Sequence, residues 1–473
     1  MKKDDYEYYI NLALNNGADF VELFYEDSIS KTYRMNDSKL DTIDTNNERG
    51  IGIRISQNED CYYTSTNNLT KENIEKIINK ITLNFENNSL NKKTKLSDLM
   101  DKTYTVEIPH DTYAITDKKK ILKTIDETAR EYSEDVTQVS AGIVEYDKNF
   151  IVANSNGKFV KGNSILTRII ATIYVEKNER KEHEFFDIAG AKGYELLKDK
   201  DLKELTIKNT KTAIEKINAK NFKGGELPVI IAPGFGAVIF HEACGHGLEA
   251  TSVAPKLSVF SDDLNKNIAS KKVTLIDDGT IANSWGSSVV DDEGNTTQKN
   301  ILIKDGKLTN YLVDYLNSQK MNCKSNGCGR RQNYHYAPTS RMSNTYLAPG
   351  KDKIEDMIKS IDLGIYCEKM SGGSVNTSTG DFNFAVETAR LIEDGKIKHL
   401  VRGITLIGNS KDILKNVEMI SDDLVLSAGY CGSKSGTIPV TIGQPTIKVS
   451  KILVGGKEEW NIKSFLIKPK KKI

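Results

Sequence analysis

Proline is scarce in this chain, 9 residues in 473, and cysteine, histidine and tryptophan are scarcer still at 6, 6 and 2. Six cysteines spread over that length exclude a disulfide framework. Cys61, Cys244, Cys323, Cys328, Cys367 and Cys431 are expected to be reduced, most of them as small buried hydrophobes. Charge excess is also missing: 66 basic residues face 65 acidic ones, a net +1. No global field therefore draws the chain to nucleic acid or to a membrane surface. The terminal "KPKKKI" is expected to be a solvated basic tail. No apolar run approaches the roughly 18 residues of a membrane span. The start, "MKKDDYEYYINLAL", lacks the uninterrupted apolar stretch of a signal peptide. A soluble, cytoplasmic protein is the expectation, with neither a nucleic acid nor a membrane partner.

What is present divides the chain in two. Helices are expected where Tyr6, Tyr9, Ile10 and Ala13 share a face, where Ile74, Ile77, Ile78, Ile81 and Phe85 follow Thr70, from Asp117 onward, and over about 201–218. Strand-like runs lie between them, including "DFVELFYED" and "RGIGIRIS", and a hairpin turns at Asn156-Gly157. "NFKGGELP" marks the boundary, giving an N-terminal α+β domain over 1–222 and a C-terminal β-rich domain over 223–473. In the second, "LIDDGT", "ILIKDGKL", "LIEDGKI" and "ILVGGKEE" suggest hairpins of one antiparallel sheet system, because positive φ is cheap at Asp-Gly and Gly-Gly. The fold class is α+β, with the antiparallel domain carrying a metal-binding helix.

That helix holds "HEACGH", residues 241–246. Metalloprotease helices carry His-Glu-x-x-His, two imidazoles one turn apart with a glutamate that activates water. Here the histidines are five apart, roughly 140° around a regular helix. Gly245 is where a helix can end or bulge, and a one-residue π-bulge there would return His246 to the face of His241. "GFG" just upstream is read as a helix-start turn and not as a phosphate loop.

A catalytic zinc uses three protein ligands and leaves one position open. Cys244, Glu249, His335 and Cys431 are the candidates for the third, and residue types alone leave the choice open. Cys431 has the most suggestive setting, between glycines in "SAGYCGSKSG".

"PGFGAVIFHEACGHGLEA" resembles the active-site segment of the TldD/PmbA family. "GCGRRQNYHYAPTSRMSNTYLAPG" and "GYCGSKSGTIPVTIGQPTIKVSKILVGG" are similar to later family segments in the same order. Within it the chain resembles the TldD branch. The resemblance implies a zinc-dependent peptidase with one Zn2+ per chain, held by His241, His246 and Cys431. It makes Glu242 the general base that acts on zinc-bound water. It implies an extended or unfolded peptide as substrate, paired along a strand, and a dimer formed with a second copy or with a PmbA/TldE-type paralogue. "RMSNTYLAP" is the segment expected beside the peptide, through Ser343, Asn344 and Thr345. Arg330 and Arg331 would either steer a carboxylate or lie salt-bridged at the surface. The alternative is a peptide-binding subunit with structural zinc; the want of a fourth ligand and the presence of Glu242 speak against it. Regulation of a DNA-associated enzyme, attached to the family historically, finds no basic stripe here.

Overall fold

The computed structural model describes residues 1–58, 60–86 and 93–456. The basic tail and the end of "ILVGGKEE" lie outside them. The N-terminal half is one long-stranded sheet in the order Asp60–Thr66, Lys39–Gln57, Phe20–Asn36, Val136–Asn154, Phe159–Lys177, Met100–Asp101, with Arg180–Gly190 also paired to Phe159–Lys177. Two helix pairs cover it. Lys3–Asn15 and Lys71–Ile81 bury Tyr6, Tyr9, Ile10, Ile74 and Ile78 against Val21, Leu23, Ile51 and Ile53. Ile115–Tyr132 and Leu202–Ile217 bury Leu122, Ile125, Ala129 and Ala213 against Ile143 and Ile169. The Asp201 carboxylate caps the last of these helices by accepting from the Lys203 and Glu204 amides. The second helix is shorter than its apolar pattern, ending at Ile81 in a 3₁₀ turn over Thr82–Asn84, so Phe85 lies beyond it.

The C-terminal half contains two large sheets and not one. The first runs Lys307–Leu308, Lys299–Lys304, Leu275–Asp278, Asn344–Leu347, Gly436–Gln444, Val425–Ser433. The second has eight strands, with Gly225–Ile231 and Ile447–Gly455 adjacent within it. Its short strand Lys220–Asn221 pairs with Lys396–Arg402, so the chain enters this sheet just before residue 223. Asp305-Gly306 and Asp394-Gly395 take positive φ at both positions and close tight hairpins, as their composition suggests. "LIDDGT" does not: Gly279 keeps an ordinary φ, and the chain runs from 279 to 298 before the partner strand begins. Apolar side chains of both sheets, among them Val229, Ile231, Phe384 and Ile442, enclose one core around Ile239, Phe240 and Leu248. The metal-motif segment is thus a buried element between two sheets.

Candidate metal centre

The segment bearing the motif is built by glycine and apolar contact. Gly234 takes φ +82°, where a Cβ would also meet Ser427 Oγ at 2.7 Å, and opens a 3₁₀ turn over Phe235–Ala237. The helix Val238–Ala243 follows, with every residue buried except Glu242. At Cys244 the backbone leaves helical geometry (φ −121°, ψ −53°), and Gly245–Leu248 form a tighter 3₁₀ turn. The extra residue is absorbed by ending the helix, in place of the π-bulge. Gly245 lets Met342 come close: a Cβ there would lie 2.1 Å from Met342 Sδ, and that side chain would have to shift.

The break brings the imidazoles together, ring centroids 5.1 Å apart at 82°. Cys431 arrives from the strand Val425–Ser433, its Sγ 3.2 Å from His246 Nε2. His241, His246 and Cys431 each offer one ligand atom, all within 4.8 Å of one another. Among the described residues these three form the one such His/Cys/Asp/Glu group. The Glu242 carboxylate lies 3.7 Å from the same His246 Nε2, and about a quarter of this side chain is open to solvent. On the far side of the ring, Nδ1 donates to Glu249 Oε2 at 3.0 Å. That bond leaves Nε2 facing the cluster.

Electrostatics favours a soft cation here. Burial alone would raise the Cys431 thiol, but the His241 and His246 imidazoles bring it down to about 4. Burial likewise opposes the charged form of His246, yet Glu249 and Cys431 hold it well above its ordinary value. His241 Nδ1 is buried with no hydrogen-bond partner, while the His241 side chain hydrogen-bonds Cys431. Two imidazoles and a thiolate in this spacing fit zinc.

The remaining candidates fall elsewhere. Cys244 points into the apolar core, and burial raises its thiol. His335 is exposed and bonds Ser65 Oγ at 3.1 Å. Glu249 sits one layer outside the donors. Ser343, Asn344 and Thr345 are buried at 5, 0 and 2 % exposure. Their strand, which begins at Asn344, pairs with Leu275–Asp278 on one edge and Gly436–Gln444 on the other. Asp277 accepts from the Ser343 and Thr345 hydroxyls, both at 2.8 Å. An internal strand with both edges taken has no main-chain edge to offer a peptide. Arg330 and Arg331 are not surface residues either. Arg330 donates to the Met342 and Pro439 carbonyls at 2.6 and 2.8 Å. Arg331 is 2 % exposed and binds Glu22 of the N-terminal sheet at 2.7 Å. Together they border a cavity of about 300 Å³ between the halves, which Lys148, Trp285 and Tyr430 also line.

Comparison with known proteins decides the family. The model described as PmbA/TldA metallopeptidase C-terminal domain matches residues 224–456, domain 1 matches 21–82, and the central domain matches 108–218. The metalloprotease TldD homolog of Buchnera aphidicola is 31 % identical over 93 % of both chains. The chain belongs to the PmbA/TldD metallopeptidases. Another family member, the zinc metalloprotease TldD homolog of Saccharolobus solfataricus, is 27 % identical over 95 % of this chain and 99 % of its own. Two solved structures share the fold. TldE from Thermococcus kodakarensis superposes with a TM-score of 0.75 at 20 % identity, covering 96 % of this chain and 100 % of its own. A Thermotoga maritima protein named as a candidate modulator of a DNA gyrase gives 0.77 at 19 %, covering 96 and 99 %. In this PmbA/TldD chain no helix of the described residues is long and apolar enough to cross a membrane.

Arg341 was not singled out by the sequence. Its guanidinium is fully buried and donates to the Cys431 carbonyl at 2.6 Å, Ser435 Oγ at 2.9 Å and the Gly436 carbonyl at 3.0 Å. A basic residue inside "RMSNTYLAP" was the available signal.

Proposed function

We propose that this chain is a zinc-dependent peptidase acting on extended or unfolded peptides, with zinc held by His241, His246 and Cys431. The observation that carries the reading is the Glu242 carboxylate 3.7 Å from the nitrogen that faces the three-donor cluster. Zinc would supply Lewis acidity there and lower the pKa of a coordinated water toward about 7. Glu242 is the general base: its carboxylate holds the proton from the attacking water and returns it to the departing amine. A structural zinc would want a fourth protein ligand and would leave Glu242 without a task.

Sheet topology supports a place for the peptide. Val425–Ser433 is the last strand of its sheet and carries Cys431. Ala428 pairs with Thr441, whose N–H is given to Ser343 O at 2.9 Å, away from Val425–Ser433. Alternation then directs the N–H and C=O groups of Ala428, Tyr430 and Gly432 to the free edge. A strand added there would run past the metal ligand, selecting chain extension and not sequence. The reading includes a dimer, of two copies or with a TldE-type paralogue, enclosing this edge, and a division of labour between 1–222 and the zinc-bearing 223–473.

Glu242→Gln tests the mechanism. Hydrolysis of an unstructured peptide should fall by about 10²–10⁴-fold with zinc content unchanged, the range of a general base. Full activity in that variant would overturn the reading.

A further inference from the structure

Cys431 has a mechanical problem. It lies close to the tip of a hairpin whose outer strand, Val425–Ser433, has a neighbour on one side only. Its two fellow ligands belong to a different element, the buried helix end between the sheets. Nothing in the ladder itself fixes the distance between the thiolate and the imidazoles.

Two buried side chains span that gap. Glu249 follows the 3₁₀ turn that carries His246 and is anchored by flanking backbone bonds, Leu312 N to Leu248 O at 2.9 Å and Ala250 N to Leu312 O at 2.7 Å. One carboxylate oxygen accepts from His246 Nδ1; the other accepts from Met342 N at 3.3 Å and lies 3.8 Å from Arg341 Nε. Arg341 carries the connection onward through its three bonds to the hairpin, one of them to the carbonyl of Cys431 itself. Both side chains are at or below 3 % exposure, and each supplies the other's countercharge. A continuous path therefore runs from the His246 ring to the Cys431 backbone without passing through the metal position.

We propose that Glu249 and Arg341 form a clamp that sets the two halves of the metal site against each other before an ion binds. They are positioning residues. Glu249 fixes the His246 ring with Nε2 inward, as outer carboxylates do for metal-binding histidines. Arg341 replaces the restraint that the edge strand lacks. Its planar fork suits this task, because three hairpin acceptors in different directions, beside the Glu249 carboxylate, are met by a fixed guanidinium better than by the single ammonium of a lysine. The inference rests on the zinc reading above, so its test must separate the two.

The test uses the full chain as wild type, Glu249→Ala, Glu249→Gln, Arg341→Lys and Arg341→Met. Zinc affinity is measured by competition with a chromophoric chelator, and thiolate coordination by the charge-transfer absorption of the cobalt-loaded protein. Melting of the metal-free forms checks the fold. Glu249→Ala should weaken zinc binding by about 10–100-fold, the usual cost of losing an outer-shell partner. Glu249→Gln should fall between, since its amide oxygen still accepts from Nδ1. Arg341→Lys should weaken zinc binding and diminish the thiolate–cobalt band. If Arg341→Met fails to fold, the two Glu249 variants and Arg341→Lys carry the test. Wild-type affinity with an unchanged cobalt spectrum in these variants would overturn the clamp while leaving the zinc reading intact. A wild-type chain that takes up neither metal would overturn the zinc reading and the clamp with it.

Discussion

Replacing Arg331 with methionine should cost far more than a change in a polar loop. Its guanidinium is 2.7 Å from Glu22 and 2.8 Å from the Asp292 carbonyl, joining the C-terminal half to the N-terminal sheet. Glu22 is 1 % exposed and has one other ionic partner, Arg54 at 2.7 Å. Arg54 must also serve Glu293 at 2.8 Å, whose carboxyl burial pushes up to about 8. The variant leaves the buried Glu22 carboxylate with Arg54 alone, a guanidinium that also contacts the Glu293 carboxyl. Breaking a buried pair in this way costs about 3–5 kcal/mol.

The loss has a definite pH dependence. Burial opposes Glu22 ionisation, but Arg54 and Arg331 bring its carboxyl below its ordinary value. Its stabilising contribution is present above the unfolded value and disappears as pH falls through the folded one. Without Arg331 burial gains weight, Glu22 takes a proton more readily, and the penalty should be larger at pH 8 than at pH 5. Urea unfolding of wild type, Arg331→Met, Glu22→Gln and the double variant at both pH values measures this. The double variant should lose less than the sum of the single ones, by more than about 1 kcal/mol. A loss below about 1 kcal/mol for Arg331→Met, or one independent of pH, would refute the reasoning.

Two further outcomes are expected. Gly432→Pro removes an N–H directed at the free edge, and a Cβ there meets only Thr437 Oγ1 at 3.8 Å. It should raise KM for an unstructured peptide by up to about tenfold, the worth of one hydrogen bond, with little change in melting; an unchanged KM would place the peptide elsewhere. In the metal-free protein the Cys431 thiol, near 4, should alkylate at similar rates at pH 8 and pH 6. An ordinary thiol slows about 100-fold over that interval. Peptide mapping by mass spectrometry reads the rates; equal slowing of Cys431 and exposed Cys323 would contradict the thiolate assignment.

The legible parts of the molecule were those written in local pattern. The amphipathic faces around Ile10, Ile74 and Ile125 gave the N-terminal helices, and Asp305-Gly306 and Asp394-Gly395 gave their hairpins. Two histidines and a glutamate in a chain with so few histidines marked the site. What stayed hidden depends on contacts between distant segments. The close approach of Met342 to Gly245, where a Cβ would lie 2.1 Å from its Sδ, joins segments far apart in sequence. Arg331 becomes a core residue through Glu22, 309 positions away. A strand's period does not say whether its edges are taken, so Asn344–Leu347 could not be told from the edge strand that carries Cys431. Arg341 reads as one more basic residue until its three partners in the hairpin are seen.

His241, His246 and Cys431 are expected to hold one zinc ion. The most direct measurement is metal content of the purified wild type beside Cys431→Ser and Cys244→Ser. About one zinc per chain is expected in the wild type and in Cys244→Ser, and none retained in Cys431→Ser. Zinc kept in Cys431→Ser, or a wild-type chain that takes up none when zinc is supplied, would contradict it.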